Sequence, residues 1–374
     1  MRWALFLLAF VVAPLAQGQE AGTVTITGTV VDDSTRAPLP DTHVFISGST
    51  TGTTVNERGR FRLSGVSSGA KRLYVTRVGY APISVDLLLP RDTTLAFAFR
   101  LTPTVVKAPE VTVSGTRDRA WHKHLERFKR LFIGEVRWAP QCDLENPTAL
   151  SFDTAWWGKF EAHAAAPLTL TNRALGYRVT YHLRQFEVRG DIVRWHGEPV
   201  FEVLTPRDSS ETRRWAENRR TAFYGSLRHF MLALRADRLR DEGFRIFRVR
   251  RAGASRGLQY TDQIPTTRDR ILTLQPDSLA EVFARDALAV HYREASESRA
   301  YLRWAGARRA PRGIQVSYID FKGAPIHVDR HGEIVEPFGV TLHGYFAFRK
   351  RMAALLPRGY RPAGATLSAD APSP

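Results

Sequence analysis

Residues 23–31 read TVTITGTVV, and apolar side chains alternate with threonines through most of this stretch. Successive side chains of a β-strand point to opposite faces, so Val24 and Ile26 share one face while the threonines share the other. Alternation of this kind predicts a strand that is buried on one side. We therefore expect a β-domain to begin here.

Short apolar runs continue this pattern to about residue 101. Clusters rich in Pro, Gly, Asn, Asp and Ser separate the runs, and these residues favour turns. About seven short strands at close spacing predict an all-β sandwich of the transthyretin or immunoglobulin type, which we place at residues 19–103. The strand candidates after the first are 44–46, 53–55, 59–63, 72–77, 83–87 and 95–101.

One turn in this region has the form Asn56-Glu-Arg-Gly59. An asparagine side chain can accept a hydrogen bond from the backbone two residues further on, and glycine tolerates positive φ. We therefore predict that Asn56 and Gly59 form a structural turn that closes a hairpin. The segment Asp329-Arg-His-Gly332 has the same form, so Asp329 and Gly332 are predicted to form a second structural turn.

Five motifs follow one another between residues 28 and 80. They are Gly28-Thr-Val-Val-Asp-Asp33, Pro38-Leu-Pro-Asp-Thr-His-Val44, Gly52-Thr-Thr54, Asn56-Glu-Arg-Gly-Arg-Phe61 and Val78-Gly-Tyr80. In this order they resemble the carboxypeptidase regulatory-like domain. The resemblance implies a transthyretin-like sandwich and a place among the envelope proteins of Bacteroidetes-type bacteria, where this module is common. It implies no peptidase activity, because the module is named after an accessory domain.

The N-terminus resembles a secretory signal peptide. Arg2 precedes an apolar run at residues 3–13, and Ala16-Gln-Gly18 supplies small residues for cleavage before Gln19. The run is shorter than the roughly 18 apolar residues that a membrane-spanning helix requires. We predict a signal peptide at residues 1–18 and an exported protein, periplasmic or associated with the outer membrane, without a transmembrane helix.

The periodicity changes after a linker at residues 104–118. Trp121, Leu125, Phe128 and Phe132 are spaced as on one face of a helix, and aromatic-rich segments after them read as antiparallel strands. A second long helical pattern spans residues 211–239, inside which Gly225 costs about 1 kcal/mol relative to alanine and allows a break, and a third spans residues 345–356. We predict an α+β domain at 119–360 with two or three amphipathic helices, and a disordered tail at 361–374.

Four strings in this second domain resemble the part of exported envelope proteins that follows the same regulatory-like module. The resemblance implies no activity. The strings are Cys142-Asp-Leu-Glu-Asn-Pro147, Asn172-Arg-Ala-Leu-Gly-Tyr177, Tyr224-Gly-Ser-Leu-Arg-His-Phe230 and Gly344-Tyr-Phe346. The single cysteine, Cys142, excludes a disulfide scaffold. In an oxidising compartment it must be buried or form an intermolecular bridge, and we expect burial.

The chain is strongly basic, with 54 Lys and Arg against 37 Asp and Glu and a net charge of +17. The excess is +2 from Gln19 to Gly115 and +14 from Thr116 to Pro374. Arginine forks suit phosphates and carboxylates. For an exported protein this predicts lipopolysaccharide, lipid head groups or an acidic glycan as partner, or an outer-membrane protein, and no nucleic acid. Alternatively, the charges form a solvated face that reflects genomic base composition.

At 100° per residue, the second helical pattern places four arginines on one narrow stripe beside its apolar face. A stripe of this kind predicts contact with an anionic surface. The alternative is that these side chains pair with Asp and Glu of neighbouring strands. The four residues are Arg213, Arg220, Arg228 and Arg235.

Candidate catalytic patterns are few. His327, Asp329 and His331 alternate as on a strand and could share a metal ion, but we favour the turn at Asp329–Gly332. Ser226 and His229 are three residues apart, without a nucleophile elbow or an orienting carboxylate. The sequence contains no glycine-rich phosphate loop. We therefore assign no catalytic residue, metal or cofactor.

These observations predict an exported, non-enzymatic envelope protein with a binding or interaction role. One alternative is a hydrolase whose site is assembled from distant residues, which a deep pocket with convergent carboxylates or histidines would favour. Another is an accessory partner of an outer-membrane transporter, which an exposed edge strand would favour. An arginine-lined face would favour binding.

Overall fold

The computed structural model describes residues 23–90, 92–104, 119–155, 158–190, 192–252, 259–275, 279–365 and 367. The predicted signal peptide lies outside these ranges, as do residues 105–118 of the predicted linker. No helix in the described ranges is long and apolar enough to cross a membrane.

The first domain is a sandwich of two sheets. One sheet has the order β4-β1-β7 and the other β3-β2-β5-β6; β1 and β7 run parallel, and every other pair is antiparallel. The seven predicted strands are therefore present. They are β1 (Thr23–Asp32), β2 (His43–Ile46), β3 (Gly52–Thr54), β4 (Arg60–Ser67), β5 (Gly69–Thr76), β6 (Ile83–Leu89) and β7 (Thr94–Leu101).

The alternation in β1 produces the core of this sandwich. Val24, Ile26 and Val30 are completely buried, and they pack in a cluster with Leu73 and Val75 of the facing sheet. This cluster is separate from the core of the second domain, so the sandwich has a hydrophobic core of its own. Burial of each such side chain contributes about 1.5–3 kcal/mol to the stability of the domain.

The second domain is rich in antiparallel strands. Its sheets have the orders β8-β11-β12-β10-β9 with β13 paired to β12, β15-β14-β18-β19-β21, and β16-β17-β20. The strands are β8 (Cys142–Leu144), β9 (Leu150–Thr154), β10 (Phe160–Ala164), β11 (Leu168–Asn172), β12 (Tyr177–Arg189), β13 (Ile192–Val203), β14 (Phe244–Ala252), β15 (Gln259–Pro265), β16 (Leu272–Leu274), β17 (Ala280–Val282), β18 (Ala287–Tyr292), β19 (Gln315–Phe321), β20 (Ile326–Val328) and β21 (Val340–Gly344).

The described part of this domain contains five α-helices instead of two or three. The first follows its apolar stripe, and the last ends early and is followed by a 3-10 turn at Met352–Ala354. A six-residue helix went unpredicted because it is too short to show a period. The helices are α1 (Arg119–Phe132), α2 (Ser209–Phe223), α3 (Leu227–Arg235), α4 (Arg299–Trp304) and α5 (Tyr345–Arg349).

The long helix predicted at residues 211–239 is two helices. Tyr224 is extended after α2, and Gly225 has a φ of +70°, which no helix accommodates. Ser226 then caps α3, since its Oγ accepts a hydrogen bond from the backbone N–H of His229 at 3.1 Å. The break turns α3 to a new direction, so residues before and after it share no common stripe.

The sandwich docks on the second domain through the loop after β2. The Gly48 N–H donates to the Pro199 carbonyl at 2.8 Å, and the Phe201 N–H donates to the Ser49 carbonyl at 3.0 Å. Glu198 is buried in this contact, where it bonds to the Ser47 hydroxyl and lies 3.5 Å from Arg72. The two domains are therefore joined by backbone pairing and by buried charges.

The segment after α5 also belongs to the core of the second domain. Leu367 is 3% exposed and lies in the same cluster as the buried residues of the sheets. The described structure therefore continues past Arg361, where the disordered tail was predicted to begin; residues 368–374 lie outside the described ranges.

Candidate functional site

The four arginines of the predicted stripe do not form one surface. Arg213 and Arg220 are exposed on α2, whereas Arg228 and Arg235 are partly buried on α3. Arg228 pairs with Glu333, and it donates hydrogen bonds to the Leu356 carbonyl at 3.0 Å and to the Pro357 carbonyl at 2.7 Å. This corrects the prediction of a single arginine stripe. The helix break separates Arg213 and Arg220 from Arg228 and Arg235, and Arg228 pairs with a residue of the protein itself.

Arg235 is held inside the domain as well. Its Nη1 donates to the Val328 carbonyl at 3.0 Å, and desolvation by burial lowers the pKa of its guanidinium. An arginine that bonds to internal carbonyls stabilises the fold and offers little to an external anion.

The two Asx-x-x-Gly segments form turns of the same geometry. The Asn56 Oδ1 accepts from the N–H groups two and four residues on, both at 3.0 Å, and Gly59 has a φ of +72°. The Asp329 Oδ1 accepts from the equivalent N–H groups at 2.8 and 2.9 Å, and Gly332 has a φ of +77°. All four residues therefore have structural roles.

The alternating histidines beside the second turn do not share a metal site. The His327 Nδ1 lies 2.6 Å from Glu336, Asp329 pairs with Arg358, and the His331 Nε2 lies 3.0 Å from the Lys71 ammonium. Each group has a different partner. In the described ranges, the one group with metal-ligand spacing is the partly exposed set Asp153, Glu161 and His163.

Ser226 and His229 do not form a catalytic pair. The Ser226 hydroxyl is the N-cap of α3, as described above, and the His229 ring lies between other partners. Its Nδ1 accepts from the Gly225 N–H at 3.1 Å, and its Nε2 lies 3.0 Å from Glu242. The serine therefore contacts the histidine backbone and not its ring.

One His-x-x-Glu pair, the spacing of a zinc carboxypeptidase, occurs at His291 and Glu294. His291 is in β18, where its ring packs at a tilt against Phe247 with centroids 4.7 Å apart. Glu294 follows the strand and packs against Gly243. Neither residue belongs to a group of three potential metal ligands in the described ranges, so the pair has packing roles.

A cavity of about 290 Å³ near the domain contact contains three carboxylates, from Glu198, Glu333 and Glu336. Glu198 bonds to Ser47 and lies near Arg72, Glu333 pairs with Arg228, and Glu336 pairs with His327. A hydrolase would have to release these carboxylates from their partners before using them. We call this space the carboxylate cavity.

A larger cavity, of about 590 Å³, lies between α1, the β12–β13 hairpin, α4 and β21. Five cationic side chains line it, and its described lining contains no carboxylate. We call it the basic cavity. Its cationic residues are Arg127, Arg130, Arg194, Lys350 and Arg351.

The helix α1 brings two of these cations to the cavity. Leu125, Phe128 and Phe132 form its buried face, and the Phe128 ring packs 4.7 Å from Phe186 of β12. Arg127 and Arg130 lie outside this face. The Arg127 guanidinium lies over the Phe160 ring at 4.4 Å, and Arg130 is exposed, with no side-chain bond or ion pair to another described residue.

The remaining cations come from two other segments. Arg194 is directly opposite Glu187 in the β12–β13 ladder, with its Nη1 3.4 Å from that carboxylate. Lys350 and Arg351 follow α5. The Lys350 ammonium forms no ion pair with a described residue, and Arg351 donates to the Lys350 carbonyl at 3.0 Å.

The cations after α5 carry charge that the protein does not fully compensate. Lys350 is an exposed residue, yet desolvation by the surrounding protein lowers the pKa of its ammonium group. The charge of Glu333 opposes this shift, and the charge of Arg351 adds to it. Desolvation also lowers the pKa of Arg351 to about 10, against an opposing effect of Glu135. An anion in the cavity would favour the charged forms and raise both pKa values.

Aromatic side chains complete the walls. Trp195 packs edge-on against Phe132 at 5.4 Å, and Trp304 lies 5.6 Å from Phe348. Phe338 lies under the Lys322 ammonium at 5.9 Å. All three aromatic side chains are only partly buried, so the basic cavity combines positive charge with apolar contact surface.

The sequence contains no signal that would join these residues. Arg127 and Arg130 are visible as polar positions of a helix, but the other cations lie more than sixty residues further along the chain. Only the excess of arginine beyond Thr116 led to the prediction of an anionic partner for this domain.

Comparison with known families identifies the first domain. Residues 26–113 match the CarboxypepD_reg-like domain family, which confirms the resemblance of the N-terminal motifs. No curated protein matches the chain.

Solved structures with local similarity to the chain match at low scores. A type II cohesin–X-dockerin complex from Acetivibrio cellulolyticus is 21% identical, covering 21% of this chain and 58% of that one, with a TM-score of 0.19. For 3-chlorocatechol 1,2-dioxygenase from Rhodococcus opacus the values are 13%, 23%, 62% and 0.19, and for a minor pilin of Streptococcus agalactiae 16%, 22%, 45% and 0.18. The chain thus spans about three fifths or less of these structures, and scores this low establish no shared fold.

Proposed function

We propose that this protein is an exported, non-enzymatic component of the bacterial envelope that binds an anionic ligand in the basic cavity. The observation that carries the proposal is the set of five cationic side chains around a concave space whose described lining has no carboxylate. The binding role predicted from the sequence is retained, but its location moves from the α2–α3 arginines to this cavity.

Arg130 and Lys350 have no ion-pair partner among the described residues, and desolvation already disfavours the charged form of Lys350. A carboxylate, phosphate or sulfate in the cavity would form charge-assisted hydrogen bonds with these donors, which are stronger than bonds between neutral groups. The partly buried aromatic rings would contact the apolar part of the ligand.

Export is supported by the sequence of residues 1–18, which has the charge, the apolar run and the small residues of a signal peptide. The N-terminal CarboxypepD_reg-like domain agrees with export, because the resemblance to this family implies an envelope protein. The available anions would then be lipopolysaccharide, lipid head groups, acidic glycans and acidic segments of outer-membrane proteins.

A titration with paired charge variants tests this proposal. The variant R130Q/K350Q removes two cavity cations that form no ion pair with any residue that the structure describes. The variant R213Q/R220Q removes two exposed cations of α2 and is the matched control, because the change in net charge is identical. Lipopolysaccharide, phosphatidylglycerol vesicles, polygalacturonate and polyglutamate serve as probes at low ionic strength, where charge interactions are least screened.

We expect at least one probe to bind the native protein, and R130Q/K350Q to bind it about 30-fold more weakly. Each cation near an anionic surface contributes about 1 kcal/mol, and about 1.4 kcal/mol corresponds to a factor of ten. The control should bind like the native protein. Equal losses in both variants would show general attraction to the basic surface, and no binding of any probe would exclude the proposal.

A further inference from the structure

Two β-sheets end at the basic cavity with open edges. In the described ranges, β13 pairs with β12 along its length and contacts the sandwich at residues 198–201, so residues 192–195 have an unpaired side. The strand β21 pairs with β19 and with no other strand of the described ranges. Residues 192–195 and 340–344 both line the cavity.

An open edge presents regularly spaced backbone groups. In an antiparallel ladder, every second residue directs its N–H and C=O away from its partner strand. The five residues of β21 span about 17 Å at about 3.4 Å per residue. Two or three residues of β21 therefore direct donors and acceptors along the cavity at the spacing of another extended chain.

The charge around these edges selects among extended chains. The five cations of the cavity repel a basic strand, and the net charge of +17 disfavours pairing with a second copy of this protein. An acidic strand, in contrast, brings carboxylates to Arg130 and Lys350, which form no ion pair with a described residue. Alternate apolar side chains of such a strand would meet Trp304 and Phe338.

We propose that β21 pairs with an extended acidic segment of a partner protein, which adds a sixth strand to the five-stranded sheet. This inference rests on the proposed function, since it names the ligand class of the same cavity. A glycan or a lipid head group would satisfy the cations equally well. Neither has donors and acceptors that repeat at the strand spacing, so neither would use the open edge.

Three peptides test the strand pairing. The first has eight residues that alternate Glu and Val, with blocked termini. The second carries N-methyl groups on its Glu residues and the third on its Val residues, so each lacks the donors of one edge while the charge stays constant. Binding to the native full-length protein, to R130Q/K350Q and to R213Q/R220Q is measured by calorimetry at low ionic strength.

We expect the unmodified peptide to bind the native protein and the R213Q/R220Q control, and to bind R130Q/K350Q at least tenfold more weakly. One of the two N-methylated peptides should bind the native protein at least tenfold more weakly than the unmodified peptide. Smaller losses with both would overturn the strand pairing, although anion binding would stand if the cavity variant still weakened it.

The remaining outcomes separate the two proposals. If polygalacturonate or anionic vesicles bind through the cavity cations and the peptide does not, the acidic-segment inference is wrong and the proposed function survives. If no anionic probe binds the native protein, both are wrong.

Discussion

Arg228 illustrates why a charged residue in a sequence does not by itself identify a binding site. It lies on the predicted stripe, but in the structure it pairs with Glu333 and donates to two backbone carbonyls. Arg130 and Lys350 have no such partners among the described residues. The distinction depends on neighbours more than 100 positions away along the chain, which no helical pattern contains.

Two histidines at the domain contact have strongly lowered pKa values. The His182 ring stacks on Phe45 at 5.4 Å, and burial, with smaller effects of His43 and Arg184, lowers its pKa to about 4. Burial, Lys71 and two arginines lower the pKa of His331 to about 3, whereas Asp329 acts in the opposite direction. Both rings are therefore neutral in the folded protein at neutral pH.

This arrangement predicts a loss of stability in acid. In the unfolded chain a histidine binds its proton near pH 6.5, so below that pH the unfolded state binds more protons and gains stability relative to the folded state. The loss begins as the pH falls through about 6.5 and continues to about pH 4 for His182 and to about pH 3 for His331. For His182 alone it amounts to about 3 kcal/mol, at about 1.4 kcal/mol per pKa unit.

The variant His182→Phe tests this prediction, because phenylalanine can stack on Phe45 but cannot titrate. Urea unfolding between pH 7 and pH 4 should show a shallower decrease in the free energy of unfolding for H182F than for the native protein. The exposed His163 provides the control H163Q, which should follow the native curve. Parallel curves for H182F and the native protein would refute the role of His182.

At the scale of elements, the spacing of apolar residues predicted the strand or helix correctly where that element buries a single face. The alternation in β1 and the apolar stripe of α1 both formed as expected, since each buries its apolar side against one layer. The pattern at residues 211–239 predicted one helix where there are two, because apolar spacing does not show a break such as that at Tyr224 and Gly225. The cost of Gly225 in a helix indicated where the break occurs.

The separate helix α2 depends on an arginine from another part of the chain. Arg349 donates to the carbonyls of Thr221 at 2.6 Å, Ala222 at 2.9 Å and Tyr224 at 2.7 Å, which lie at the C-terminal end of α2. The last carbonyls of a helix have no partner within it, and a cation there also interacts favourably with the helix dipole. Arg349 therefore joins α2 to α5.

We expect Arg349→Met to lower the free energy of unfolding by about 3 kcal/mol. Methionine keeps the apolar contacts, but it leaves the buried carbonyls without donors, and each such loss costs about 1–3 kcal/mol. Removal of a desolvated cation offsets part of this cost. Urea unfolding at neutral pH measures the change, and R213M on the exposed face of α2 is the control, with an expected change below about 0.5 kcal/mol. A similar small change in R349M would show that Arg349 does not cap α2.

At the scale of the whole molecule, the two domains differ in what the sequence could predict. The sandwich was predicted because its strands, turns and family motifs all lie within eighty consecutive residues. The basic cavity combines residues from Arg127 to Arg351, brought together only by the packing of α1, the β12–β13 hairpin and β21. Their separation along the chain explains why net charge indicated an anionic partner without locating its site.

The central claim is that anions bind in the basic cavity, and hydrogen–deuterium exchange of the full-length protein with and without polyglutamate tests it most directly. Binding should slow the exchange of backbone amides at residues 192–195 and 340–344, which line the cavity, and leave residues 213–220 of α2 unchanged. In R130Q/K350Q this protection should disappear at the same polyglutamate concentration. Protection confined to α2, or equal protection in the native protein and the variant, would contradict the claim.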